Sequence, residues 1–273
     1  MTSSEPAAGK VNLKLYCMTG AMIHFDQSVF THMRGFGRRV KVQTPIFLID
    51  HPSGKVLFET GLYPGLAIDR YKDLTPSLHD WEPEMTPDQA ADKQLEKLGI
   101  HAKDIRYVIL SCLIPDHAGG MCLFPNATFI VQFRELQEAW WPDQRVAQGQ
   151  AYQYGQLLAT RDFKYWQLHD EDLDLFGDGT IRILFSPAHT RGEQALVLRL
   201  PNTGTVVMPA GVCPQKANFV EGIMTGTPAV DPAIVQASMA RLRRIAAQEN
   251  ALVIHHHDPD DWKSVRKAPE FYD

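Results

Sequence analysis

Apolar and polar residues are distributed along the chain in a pattern that predicts short strands and two hairpins. Apolar runs at 45–50 and 55–59 flank the turn residues 52–54, and a second pair at 195–200 and 205–208 flanks 201–204. Each pair predicts a hairpin, because proline, serine, asparagine and glycine favour tight turns. Further apolar runs predict strands at 11–17, 106–110, 127–132, 181–186 and 252–254.

Helices are predicted where a capping residue precedes an apolar series of helical spacing. Thr86 with Gln89 forms a capping pattern at the start of one such series, and Asp231 precedes another. The segment 133–165, rich in Gln, Ala and Tyr, is also predicted to be largely helical. Each half of the chain therefore has a hairpin, further strands and an amphipathic helix. We expect an α/β protein, a four-layer αββα sandwich, with residues 1–273 in a single domain.

The composition is that of an ordinary globular protein, and its charge balance limits the kinds of molecule that the protein is expected to bind. Of 273 residues, 44% are hydrophobic and 22% charged, and 27 Lys and Arg against 32 Asp and Glu give a net charge of −5. This balance argues against nucleic-acid binding. No apolar run is long enough for a signal peptide or membrane span, and the four cysteines lack a paired metal-site spacing. We therefore expect a reduced, cytoplasmic protein with no membrane contact.

Histidine occurs in three loops that follow predicted strands. Asp116 and His117 lie in 111–120, His189 lies in 186–190, and three histidines lie in 255–257. Loops at one edge of a sheet can bring distant residues together, and imidazole with carboxylate suits zinc, manganese or iron. An Asp-His pair before Gly-Gly is equally consistent with a helix cap, so both interpretations stay open on spacing alone.

These segments resemble one known family over nearly the whole chain. The hairpin ending in Glu59-Thr60-Gly61, the segment 111–120, the stretch from Ser186 to His189 and the pair His257-Asp258 resemble the metallo-β-lactamase superfamily. The resemblance is strongest to N-acyl homoserine lactonases and related lactone hydrolases. It implies the metallo-β-lactamase αββα sandwich and a two-metal site built from HxHxDH, a later histidine, a bridging aspartate and a final histidine.

The resemblance also shows where this chain departs from that pattern. Cys112 and Ile114 stand where two histidines are expected, and Gly211 stands where the bridging aspartate is expected. Glu59 replaces an aspartate of the usual support turn. The resemblance thus implies a degenerate motif with fewer ligands for the first metal.

The residues that remain define the predicted ligand set. The resemblance implies Asp116, His117 and His257 as ligands of the second metal position and His189 as a remaining metal residue of the first, and three protein ligands plus water suffice for one catalytic ion. Zinc is the first expectation for this single divalent ion, with iron or manganese as alternatives. Two further residues remain ligand candidates, namely Cys112 and His256. The register among His255, His256 and His257 is open, and a cysteine after an apolar strand is commonly a buried hydrophobe.

Three functions are compatible with these residues. The first is a metal-dependent hydrolase of a small lactone or ester, in which Asp116 is catalytic and orients the attacking water or returns a proton to the leaving alkoxide. The second is an iron-dependent redox or oxygen enzyme acting on a small aromatic compound. The third is an inactive homologue that binds a small molecule.

Aromatic residues suggest the nature of the substrate. Five of them, Trp140, Trp141, Tyr152, Tyr154 and Phe163, either line the cleft or pack on the body of the protein. Met22, Phe25 and Phe36 are further candidates for the entrance. We expect a small apolar substrate with a carbonyl group, and the resemblance allows a homodimer.

Overall fold

Two β-sheets lie at the centre of the computed structural model, which describes residues 11–143, 145, 151–226 and 230–273. The first sheet has six strands in sequence order, β1 (Lys14–Asp26), β2 (Arg39–His51), β3 (Gly54–Phe58), β4 (Ile105–Ile109), β5 (Thr128–Gln132) and β6 (Lys164–Leu168). Strands β1 to β3 pair antiparallel, and β3 to β6 pair parallel. The carboxyl ends of β3, β4 and β5 therefore share one edge of the sheet.

The second sheet is built from the later part of the chain. Its strands are β7 (Leu173–Asp174), β8 (Ile181–Phe185), β9 (Gln194–Leu200), β10 (Gly204–Met208) and β11 (Leu252–Val253), in the order β11-β10-β9-β8-β7. Strands β7 to β10 pair antiparallel, whereas β11 joins β10 in parallel. Both predicted hairpins are confirmed, as β2–β3 and β9–β10.

Among the described residues, the α-helices are short except for one. They are α1 (Gln27–Phe30), α2 (Ala91–Glu96), α3 (Pro115–Ala118), α4 (Phe133–Trp140), α5 (Tyr154–Leu158), α6 (Lys216–Glu221), α7 (Pro232–Gln248) and α8 (Pro259–Ser264). The predicted capping residues act as expected: Thr86 and Gln89 form a capping box before α2, and the Asp231 side chain accepts from the amide of Ala233 at the start of α7. No helix in the described part of the chain is long and apolar enough to cross a membrane.

Apolar side chains pack in three layers around the two sheets. Phe47 and Phe58 of the first sheet meet Leu196 and Leu198 of the second in the middle layer. Burying each of these large side chains contributes about 1.5–3 kcal/mol. The outer face of the first sheet packs against α2 and α4, and that of the second packs against α7. The four-layer αββα sandwich is thus confirmed.

Two features of the described chain differ from the sequence prediction. The first strand extends to Asp26, well beyond the predicted 11–17, so Phe25 lies on β1 rather than in a loop. Segment 133–165 contains α4 and α5 but also the start of β6, and residues 144 and 146–150 of that prediction lie outside the described residues.

The far side of β1 is covered by the C-terminal segment. The amide of Leu15 donates to the carbonyl of Tyr272 at 2.8 Å, and the amide of Tyr272 donates back at 2.9 Å. The amide of Ala268 donates to the carbonyl of Cys17 at 2.9 Å. Segment 268–272 therefore satisfies backbone groups along the outer edge of the first sheet.

Candidate active site

The loop that follows β4 carries the first two polar residues of the site. Pro115 begins α3, a single turn that holds Asp116 and His117, and its fixed φ suits the first helical position. A Cβ atom at Gly120 would lie 2.4 Å from the carbonyl oxygen of Thr60, so a glycine is required for this close approach. Thr60 in turn donates to the carbonyl of His117 from its amide (2.8 Å) and its hydroxyl (3.0 Å), which fixes the turn.

Asp116, His117 and His257 converge at one point. The Oδ2 atom of Asp116 lies 3.5 Å from Nε2 of His117 and 3.2 Å from Nε2 of His257. Within the described ranges, these three residues form the group whose potential ligand atoms all lie within 4.8 Å of one another. All three side chains are buried. The structure therefore brings together side chains from distant parts of the sequence, since Asp116 and His117 follow β4 of the first sheet and His257 follows β11 of the second.

Neighbouring groups orient the two imidazoles. Nδ1 of His257 donates to the carbonyl of Gln43 at 2.9 Å, which fixes the ring so that Nε2 faces Asp116. Nδ1 of His117 faces Oε2 of Glu59 at 3.3 Å and the hydroxyl of Ser111 at 3.2 Å. Carboxylate or carbonyl groups behind the histidines are the arrangement that fixes imidazole ligands around metal ions.

Glu59 holds this position in an unusual backbone conformation. Its φ of 65° lies in the left-handed region, which is uncommon for a residue other than glycine. Its Oε1 atom accepts from the amide of Ser111 at 3.2 Å, so the carboxylate joins the end of β3 to the loop after β4. The backbone strain is thus located directly beside the site.

The buried charges of the site shift one another's pKa. Burial opposes ionisation of Asp116, but the imidazoles of His117 and His257 hold its pKa well below the usual range. Burial also disfavours charge on His117, whereas the carboxylates of Asp116 and Glu59 raise its pKa to about 10. The pocket therefore stabilises positive charge between its carboxylates, which is the electrostatic condition for holding a cation.

His189 lines the same cavity from the loop after β8, beside Gly211. It does not belong to the convergent group of three. Its backbone amide donates to Oε2 of Glu193 at 2.8 Å, and the amide of Thr190 donates to the same oxygen at 3.4 Å. Burial raises the pKa of Glu193 to about 8, against the charge of His117 and these amides. Sequence reasoning did not single out Glu193.

The remaining ligand candidates lie away from the point of convergence. Cys112 is fully buried in the apolar layer of the first sheet, and burial raises the pKa of its thiol well above the usual value. His256 points behind the cavity, where its ring lies 5.2 Å from that of Phe47 and 5.4 Å from that of Phe58. Nδ1 of His255 faces Asp261 at 2.8 Å. Among the three consecutive histidines, His257 is the one that lines the cavity.

The cavity above Asp116 has a volume of about 360 Å³ and a largely apolar wall. The rings of Trp81 and Phe25 lie 4.9 Å apart, those of Phe25 and Phe30 5.3 Å, and those of Phe30 and His257 5.6 Å. An aromatic wall thus leads from the entrance to the polar floor. Ile114 lines the cavity as well. A substrate with an apolar part and one polar reactive group fits this division.

Of the aromatic candidates for the cavity wall, the structure places Phe25 in the wall and those of the middle segment elsewhere. Trp140, Trp141 and Tyr154 border a separate surface depression. Phe163 stacks on Phe129 at 5.7 Å, and the buried hydroxyl of Tyr152 donates to Oε1 of Glu135 at 2.9 Å. Met22 and Phe36 are likewise not among the residues that line the site cavity. Of the two interpretations that the sequence left open, the structure therefore supports the one in which the aromatic residues of the middle segment do not line the cavity.

Comparison with known proteins identifies the class to which this fold and site belong. The chain matches the metallo-beta-lactamase superfamily over residues 39–257. It therefore belongs to the metallo-β-lactamase superfamily, and the resemblance noted in the sequence is confirmed. Membership implies a divalent metal ion as cofactor.

Several relatives and solved structures that resemble the chain are N-acyl homoserine lactonases. N-acyl homoserine lactonase AttM of Azorhizobium caulinodans is 32% identical over 266 residues, which cover 96% of this chain and 99% of that protein. AttM of Agrobacterium fabrum is 30% identical over 269 residues, with 96% and 99% covered. A solved N-acyl homoserine lactone hydrolase, with N-hexanoyl-L-homoserine bound at its catalytic metal centre, has a TM-score of 0.85 at 24% identity and covers 96% of this chain and 100% of its own. The metallo-β-lactamase fold is thereby confirmed.

Proposed function

We propose that this protein is a metal-dependent hydrolase that opens a small lactone or ester at a site holding one divalent ion. The observation that carries the proposal is the convergence of Asp116, His117 and His257 on the floor of the apolar cavity. The similarity to N-acyl homoserine lactonases over nearly the whole chain supports the reaction class. Acyl homoserine lactones are accordingly the first substrates to test.

The donor atoms fit one ion. Two imidazole Nε2 atoms and a carboxylate oxygen match the borderline character of zinc and leave a position open. The Nδ1 donation of His257 to Gln43 and the contact of His117 with Glu59 orient both ligands before an ion binds. Zinc is the ion we assign first, and manganese and iron are the alternatives for this donor set.

The same residues do not fit a second ion in the manner of a two-metal site. Cys112 is fully buried in an apolar layer, Ile114 offers no donor atom, and Gly211 has no side chain. His189 lines the cavity but lies outside the convergent group. We therefore assign the site a single ion and treat the roles of Cys112 and His256 as structural.

The chain's own residues account for the remaining chemistry. A divalent ion in such a site lowers the pKa of a coordinated water toward neutrality and polarises a carbonyl group. Asp116, ionised and buried, accepts a hydrogen bond from the attacking water and so orients it toward the carbonyl carbon. When the ring C–O bond breaks, the leaving alkoxide takes up the proton that the water has lost. The aromatic wall formed by Phe25, Phe30 and Trp81 holds the apolar part of the substrate and excludes bulk water.

Ring opening releases a proton, which gives a direct assay. Purified protein supplied with zinc is mixed with N-hexanoyl homoserine lactone, and acid release is followed with a pH indicator in weak buffer. Asp116→Asn is expected to abolish both bound zinc and turnover. His101→Ala, an exposed position outside the cavity, serves as the matched control and keeps both.

The same purified protein can be used to test the two alternative functions, an iron-dependent oxygen enzyme and an inactive binding homologue. Oxygen consumption by iron-loaded protein with an aromatic substrate, without lactone hydrolysis, would assign the protein to oxygen chemistry. Calorimetric binding of the lactone without turnover under any of the three metals would identify a binding homologue. Turnover that survives in Asp116→Asn would contradict the site assignment.

A further inference from the structure

Gly211 and Glu193 occupy the same small volume beside the cavity. A Cβ atom built on Gly211 would lie 2.4 Å from Oε1 of Glu193 and 3.1 Å from Cβ of His189. No real side chain tolerates the shorter distance without displacing the carboxylate. The carboxylate oxygen of residue 193 therefore stands where a side chain at position 211 would begin.

The two carboxylate oxygens of Glu193 have different surroundings. Its Oε2 atom accepts from the amides of His189 and Thr190 and so secures the loop after β8. Its Oε1 atom is buried and has no hydrogen-bond partner among the residues that the structure describes, and the residue as a whole is 0% exposed. An unpaired buried carboxylate oxygen is costly, so such an atom is kept where it meets a ligand, water or ion.

Oε1 of Glu193 lies behind the part of the cavity wall that Gly211 forms. Gly211 lines the cavity together with Asp116, His117 and His257, and Glu193 lies directly behind Gly211. In a superfamily member, the carboxylate that bridges the metals is expected at position 211. A carboxylate is thus present at that point of the fold but is supplied by a different residue.

We infer that Glu193 replaces the carboxylate missing at position 211 and acts on the metal site of this protein. Glu193 is a positioning residue: it presents a carboxylate oxygen to the groups around the ion from the side of Gly211, while it anchors the loop of His189. The glycine at 211 is needed because any larger residue would displace that oxygen. This inference rests on the proposed single-metal site.

Transfer of the carboxylate between the two positions is the decisive experiment. Zinc affinity is measured by competition with a chelating dye in the parent, Glu193→Gln, Glu193→Ala and the double variant Glu193→Ala/Gly211→Asp. Loss of a group that orients metal ligands typically weakens affinity by about 10- to 100-fold, and we expect this for both single variants. The double variant is expected to return to within about threefold of the parent, because the introduced aspartate then fills the vacated space.

A spectroscopic readout separates this role from a merely structural one. The visible absorption of cobalt-substituted protein reports the surroundings of the ion, and it is expected to change in Glu193→Gln and to return toward the parent spectrum in the double variant. Glu135→Gln is the matched control, since Glu135 is also buried but its Oε1 accepts from the amide of Leu113 and the hydroxyl of Tyr152 rather than from the amides of His189 and Thr190. It should leave affinity and spectrum unchanged.

These experiments test the role of Glu193 separately from the proposed hydrolase function. Parent affinity and an unchanged cobalt spectrum in Glu193→Gln would overturn it, as would a double variant no better than Glu193→Ala. Because Glu193→Gln keeps the shape of the side chain, it remains decisive even where circular dichroism shows that Glu193→Ala is unfolded. Loss of zinc in Asp116→Asn alone would leave the single-metal hydrolase standing and the role of Glu193 refuted.

Discussion

Two adjacent histidines give the sharpest test of the site, because the structure assigns them opposite consequences. His257 lines the cavity and faces Asp116, whereas His256 is 0% exposed and packs between Phe47 and Phe58 behind it. His257→Ala should therefore affect metal binding and leave folding largely intact. His256→Ala should affect folding and leave metal binding intact.

The magnitudes follow from what each side chain contacts. Structural zinc sites with four ligands bind with roughly 10–16 kcal/mol, so one ligand represents about 3 kcal/mol. Removal of His257 should then weaken zinc binding about 100-fold, at about 1.4 kcal/mol for each factor of ten. Truncation of His256 leaves a cavity between two phenylalanine rings, which costs about 2–3 kcal/mol after allowance for its ring nitrogens, neither of which makes a hydrogen bond among the described residues.

Two measurements on both variants complete the experiment. Zinc affinity comes from dye competition, and the free energy of unfolding of the metal-free protein comes from urea titration. The expected pattern is a double dissociation, with one property changed in each variant. If His256→Ala loses zinc as severely as His257→Ala while remaining folded, or if His257→Ala leaves zinc affinity unchanged, the orientation of this segment is not as we describe.

Three further substitutions test other parts of the structure. Gly120→Ala places a methyl group 2.4 Å from the carbonyl of Thr60 and should lower the free energy of unfolding by at least about 2 kcal/mol in urea titration; wild-type stability would contradict the close packing. Cys112→Ser should retain its zinc by elemental analysis and lose about 1–2 kcal/mol of stability, whereas loss of the ion would make Cys112 a ligand. Burial raises the pKa of Glu135 to about 7 from an ordinary 4.5, so the folded protein holds this proton more tightly than the unfolded chain, and stability should decrease as the pH rises from about 5 to 8. Glu135→Gln should make that profile less steep in urea titrations at several pH values, with the raised pKa of Glu193 accounting for the rest, and an unaltered slope would show that Glu135 does not contribute.

The parts of the fold that were predictable are those governed by local sequence. The turn that ends at Gly54 and the cap at Asp231 depend on residues within a few positions of one another. The local sequence therefore predicts where β2 ends and where α7 begins. Asp116, His117 and His257 were identified through the resemblance to the metallo-β-lactamase superfamily, because the spacing of Asp116 and His117 alone left a helix cap equally open.

What the sequence did not reveal depends on contacts between distant segments. Glu193 approaches Gly211 only because two loops pack together in the fold. A glycine in the sequence does not indicate which residue occupies the space that its missing side chain leaves. The sequence left open whether the aromatic residues of 140–163 line the cavity, and α4 and α5 turn Trp140 and Tyr154 toward another surface. Tertiary packing, rather than amino-acid composition, determines which face of each helix points toward the cavity.

The hydrogen bonds between segment 268–272 and β1 have a practical consequence for handling the protein. An open strand edge offers unpaired backbone groups to any other chain, and the pairing of Tyr272 with Leu15 removes that opportunity along part of the first sheet. Shortening the chain ahead of Ala268 would uncover a ready template for self-association. Preparations cut at that point are expected to precipitate on concentration even while the distant metal-binding pocket remains intact.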